Sequence, residues 1–132
     1  MEMDLEFTGD VVEWQTLLSG MQIVSLEGAT GDVAWTLSGG CSWNVRAGSE
    51  ASEGDLTLSR DDGGELFATL AAGTVVELPS DAADAADYDV RLEFTIDGGA
   101  GEFDSASGVI DADGRLSRQA YSLHLRISVN DT

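Results

Sequence analysis

One histidine and one cysteine set the limits on catalysis in this chain. His124 is the sole imidazole, so any Ser-His-Asp or Cys-His relay must run through it, with Cys41 or one of the serines as nucleophile. Nothing in the spacing brings Cys41 to His124. With one residue of each kind, neither an intramolecular disulfide nor a His/Cys zinc cluster can be assembled. Calcium is the other metal to consider, because hard cations take clustered carboxylates. Asp111-Ala112-Asp113-Gly114 opens like a calcium loop, yet Arg115, Leu116 and Arg118 stand where further oxygen ligands belong. A tight turn with Asp-Gly at its tip explains the run better. The string Gly98-Gly99-Ala100-Gly101-Glu102-Phe103 also fails as a calcium-binding nonapeptide, since it occurs once and Phe103 takes the aspartate position.

The aromatic residues suggest a different chemistry. Trp35 and Trp43 lie on strands joined through Gly39-Gly40, and Trp14, Tyr88 and Tyr121 sit at the starts or middles of other strands. Such a set lines an apolar cavity or fills one, and the sequence leaves both readings open. Arg46, close behind Trp43, either orients a carbonyl or acidic group of a ligand or pairs with surface carboxylates at little energetic gain.

These residues stand in a chain of 132 residues carrying 25 acidic side chains and six arginines, with no lysine, for a net charge of −19. That length makes one domain. The arginines are scattered singly among acids, so no phosphate-binding patch forms and nucleic acid is excluded as a partner. An anionic membrane surface would repel the chain as well. No apolar run is long enough to span a bilayer, and the acidic start has neither the basic nor the apolar region of a secretory signal, so the chain reads as cytoplasmic or already processed. Lysine-free composition rich in Ala, Gly, Asp and Val fits a high-GC or salt-adapted source, with the acid excess serving solubility.

The elements that position the aromatics are strands. Apolar residues alternate with polar ones at Met3, Leu5 and Phe7, at Val33, Trp35 and Leu37, at Leu56 and Leu58, and at Leu92, Phe94 and Ile96. The clearest case is Tyr121 to Val129, with Tyr121, Leu123, Leu125, Ile127 and Val129 on one face and Ser122, His124, Arg126 and Ser128 on the other. Val11 to Leu18, Met21 to Leu26, Glu65 to Leu70 and Thr74 to Leu78 are further candidates. Glycine-rich punctuation separates them at Ser19-Gly20, Gly28 to Gly31, Gly39-Gly40, Asp61 to Gly64, Ala72-Gly73, Asp97 to Gly99 and Asp113-Gly114, read here as hairpin turns. Short strands with no intervening amphipathic helix predict an all-β, single-domain antiparallel barrel of about eight strands. Pro79 to Asp87, with no apolar residue larger than alanine, reads as an acidic surface loop or as a lid over the barrel mouth.

The string Gly98 to Gly108, of the form Gly-Gly-x-Gly-x-Phe-x-x-Ala-x-Gly, resembles the hairpin signature of small bacterial proteins related to the allene oxide cyclase-like barrels. Glu53 to Leu70, a strand followed by a glycine turn and another strand, is similar to their central hairpin. The two matches cover roughly residues 53 to 110. Physically, Phe103 is the one large apolar side chain in the string and is expected to plug one end of the barrel.

The resemblance implies a cofactor-free cyclase of the [4+2] type that folds an apolar polyene or polyketide-like substrate in the barrel lumen, through conformational restriction and one polarising donor. On that reading Tyr88, Tyr121 and Arg46 are catalytic, Trp35, Trp43, Phe94 and His124 bind substrate, and no metal takes part. His124 and Arg126 enter the lumen only if the polar face points inward; if the aliphatic face is the packed interior, both meet solvent. Two other functions share the fold: a carrier of a hydrophobic small molecule, and a structural or interaction protein with a packed interior. A homodimer closing edge to edge is compatible with each.

Overall fold

Alternation gives each strand one dry face, and several such strands bury those faces together by closing on themselves. The computed structural model describes residues 1–44, 48–78 and 87–130. They form a closed barrel of eight antiparallel strands, each paired with its neighbours in sequence and the last paired with the first. The strands are β1 (Glu2–Thr16), β2 (Met21–Thr30), β3 (Trp35–Asn44), β4 (Ala51–Arg60), β5 (Glu65–Glu77), β6 (Tyr88–Ala100), β7 (Gly108–Leu116) and β8 (Ala120–Val129). A single 3-10 turn, Gly101–Phe103, follows β6. The inward faces supply the core, with Phe7, Trp43, Leu58, Leu66, Ile110 and Leu125 wholly buried.

Four expected turns lie inside strands instead: Gly39-Gly40 in β3, Ala72-Gly73 in β5, Asp97 to Gly99 in β6 and Asp113-Gly114 in β7; a fifth, Gly28 to Gly31, keeps only Gly31 outside β2. Trp35 and Trp43 therefore belong to one strand. At its middle, a Cβ on Gly39 would stand 2.2 Å from the carbonyl oxygen of Asp55, and one on Gly40 2.0 Å from that of Val24. Glycine here lets the backbones of β2 and β4 approach β3 closely. Met3 to Phe7 and the expected strand Val11 to Leu18, as far as Thr16, likewise merge into β1, because a bulge between Val11 and Glu13 resets the inward phase, while Leu17 and Leu18 fall beyond the strand. Bulges at Phe67/Ala68 and Leu70/Ala72 join the two expected halves of β5. Strand β7 has no counterpart among the expected strands, since its inward Ala112 and Gly114 are too small to mark an apolar face.

The turns at Ser19-Gly20 and Asp61 to Gly64 are as expected, closed by Gly20 N–H to Leu17 O and Gly63 N–H to Arg60 O, each at 3.0 Å. Arg46 and residues 79–86 of the acidic segment lie outside the described residues.

Candidate functional site

At the lower pole, where β2 meets β3, β4 meets β5 and β6 meets β7, the interior ends in an aromatic plug. Phe103, 3% exposed, is carried in by the 3-10 turn and packs against Trp35 at 5.9 Å between ring centroids. The Arg60 guanidinium lies over both rings, 4.9 Å from the Phe103 centroid and 5.6 Å from that of Trp35. Two carboxylates clasp it from outside: Asp62 accepts from Nε at 2.8 Å, and Glu102 accepts from an η nitrogen. The Arg60 contact, followed by the Gly64 N–H, lowers the Asp62 pKa. That contribution to stability is present above the ordinary carboxylate range and fades as pH falls through the lowered value.

The upper pole is closed by a second cluster. Trp14 stands edge-on to Trp43 at 5.4 Å and tilted to Tyr88 at 5.5 Å, while Trp43 and Tyr88 are 5.7 Å apart. Arg118 covers Trp14 at 4.6 Å. Gln22, 5% exposed, accepts from the Trp14 indole at 2.7 Å and from the Thr16 hydroxyl at 2.8 Å. Nothing in the sequence marks Gln22, because its role follows from the β1–β2 register that sets it opposite Thr16.

Of the residues the sequence singles out for a lumen site, Trp43 and Tyr88 come together here. Trp35 does not join them: it begins the strand that Trp43 nearly ends, roughly 26 Å away at the rise of an extended chain. Phe94 is core, 1% exposed. Tyr121, 5% exposed, lies against Gly28, where a Cβ would be 2.3 Å from its hydroxyl. That hydroxyl is buried without a hydrogen-bond partner. His124 faces outward, so a lumen contact for it is corrected: Nε2 is 3.1 Å from Asp4 and Nδ1 3.5 Å from Glu6. The aliphatic face of β8 is the inner one, which sends His124 and Arg126 to solvent.

Two interior groups make the barrel sensitive to alkali. Burial pushes the Cys41 thiol up from 9.0 to about 12. Burial, then Asp10 and Glu27, push the Tyr121 phenol up from 10.0 to about 12. Both ionise first in the unfolded chain, so their stabilising effect is full below the unfolded values and is lost as pH rises through the folded ones. Denaturant midpoints should therefore fall between about pH 9 and about pH 11, and Cys41→Ala should flatten the earlier part of that fall. A midpoint that stays level across this range would refute the assignment.

The outer wall carries the open hollows. One, of about 520 Å³, runs over β2, β3 and β4 between Val12, Ile23, Ser25, Ser42, Glu53 and Asp55. Another, of about 570 Å³, lies beside it over β1, β2 and β3 and is bordered by Thr8, Asp10 and Thr36. Glu27 and Ser38 line both, so the two hollows adjoin at this pair and together make a trough-shaped face over β1 to β4. Val12 and Ile23, 53% and 37% exposed, give it an apolar flank. A third hollow, of about 580 Å³, lies on the opposite wall among Arg91, Glu93, Asp111, Asp113 and Arg126.

No family model, curated protein or solved structure matches the chain. What the arrangement can do must be read from its own groups. Among the described residues no group of three or more His, Cys, Asp or Glu side chains could hold a metal ion. The interior offers one thiol, held protonated, and two phenols, and the outer wall offers spaced carboxylates, hydroxyls and exposed aliphatic side chains.

Proposed function

We propose that this barrel is a non-catalytic interaction module, with a packed interior and an outer wall that meets its partner. One observation carries the reading: Trp35, Trp43, Tyr88, Phe94 and Tyr121 are each 6% exposed or less. A lumen able to admit a linear chain would leave accessible surface on the side chains that line it. These rings instead touch one another or neighbouring aliphatic residues, as fits a small barrel filled by its own side chains. The cyclase reading would require the same rings to part for a substrate, and the carrier reading would require it too.

Titrating the tryptophan fluorescence with linear polyenes and other apolar ligands tests this directly. We expect no saturable change for any ligand in protein shown to be folded. Saturable quenching at micromolar concentration would overturn the reading, and conversion of the bound compound to an isomer of equal mass would establish a cyclase.

A further inference from the structure

The register of the strands divides the outer wall into two electrostatically different halves. Around β6, β7, β8 and the start of β1, acids have cations beside them across the ladder: Asp4 and Asp111 oppose Arg126, Glu6 opposes His124, Asp89 opposes Arg115, and Asp113 opposes Arg91 and His124; Glu93 does oppose Asp111, but the other neighbour of Asp111 is Arg126. The hollow on this side thus holds Arg91 and Arg126 among its carboxylates. The trough over β1 to β4 has no such compensation. Asp10 stands directly opposite Glu27, Glu27 also faces Ser38, Glu53 faces Ser42, and Asp55 lies between Gly40 and Thr69. No arginine or histidine lines either part of it.

Like charges directly opposite on neighbouring strands are destabilising. Asp10 has Ala120 on its other side and Glu27 has Ser38, so an external cation beside this pair relieves a repulsion that no neighbouring strand compensates. A single metal ion does not answer to it, since no three of these carboxylates converge on one point. Cations spaced along a chain do. Val12 and Ile23 on the flank add a requirement for aliphatic contact, and the trough lies on the face of strands that are paired with one another, so the occupant is held by side chains and not by an added strand. Another copy of this protein brings a net charge of −19 with it.

We infer that the trough over β1 to β4 binds a short segment of a partner protein in which arginine or lysine residues are interspersed with aliphatic ones. This rests on the reading of the outer wall as the working surface, and it names the class of partner.

The test uses a fluorescent synthetic peptide of alternating arginine and valine and measures anisotropy against the full-length protein at low and high salt. Two charge-matched variants are compared. Glu27→Gln/Glu53→Gln/Asp55→Asn removes three carboxylates from the trough, and Glu93→Gln/Asp111→Asn/Asp113→Asn removes three from the opposite wall. Exposed ion pairs are each worth a few-fold in affinity, so the trough variant should weaken binding by about tenfold and the opposite-wall variant by less than about twofold. Ile23→Ser, which leaves the charge untouched, should weaken binding that persists at high salt, where charge attraction is screened. Equal weakening by the two triple variants would show attraction to net charge alone and overturn the proposal. So would absence of binding at low salt, or concentration-dependent dimerisation that the trough variant abolishes. Any of these results leaves the packed-interior reading standing, because that reading fails only on a saturable apolar ligand in the lumen.

Discussion

Replacing Trp43 by alanine is expected to lower the unfolding free energy by about 3–5 kcal/mol, the range for removing a large aromatic from a core. Trp43 has no exposed surface and contacts both Trp14 and Tyr88, so its removal leaves a void that two other rings cannot fill without leaving their own positions. Denaturant unfolding followed by far-ultraviolet circular dichroism gives the value, with an unchanged slope indicating that the same surface unfolds. A loss below about 1 kcal/mol would mean that the ring borders open space and that the interior is looser than its burial indicates. Because the variant alters nothing on the outer wall, arginine-peptide binding by the folded protein should be unaffected.

Gly28→Ala is the second substitution with a large expected effect. The added Cβ would fall 2.3 Å from the Tyr121 hydroxyl and 2.4 Å from the carbonyl oxygen of Thr8. The first obstacle is a side chain, and the second is the backbone of a paired strand. Overpacking of this kind destabilises by about 1–3 kcal/mol. Tyr121→Phe separates the two obstacles, since it removes the hydroxyl and leaves the carbonyl. Alone it should leave stability level or raise it by about 1 kcal/mol, because a buried hydroxyl without a partner is itself unfavourable. Combined with Gly28→Ala it should recover part of the loss. If the double variant is no better than the sum of the singles, the ring does not rest on Gly28.

The barrel was legible where inward side chains are large. Tyr121, Leu123, Leu125 and Ile127 announce β8 through their spacing, and the structure buries all four. The same alternation runs through β7, but Ala112 and Gly114 occupy inward positions there. Their small size makes room for neighbours such as Leu92 and Leu123, the register partners of the two. Glycine misled for a related reason: in a tightly curved sheet it serves close approach of strands as often as it serves turns, and Gly39, Gly40 and Gly28 are examples. The sequence did show an aromatic set, yet not that Trp35 and Trp43 sit at opposite poles. The trough was invisible beforehand. Its members come from β1 to β4, and only the register, including the bulge that displaces Val12, brings them to one surface.

The seam between β1 and β8 carries a consequence for synthesis in the cell. Its contacts join residues more than a hundred positions apart, with the Met1 amino group donating to Val129 O at 2.8 Å and Ser128 paired with Glu2. While a ribosome is still making the chain, the first strands can form hairpins but the sheet keeps two free edges, and free edges are where nascent chains aggregate. Closure therefore waits for release of the last strand, a slow step because it depends on such distant pairing. During that wait the dense negative charge keeps neighbouring nascent chains apart.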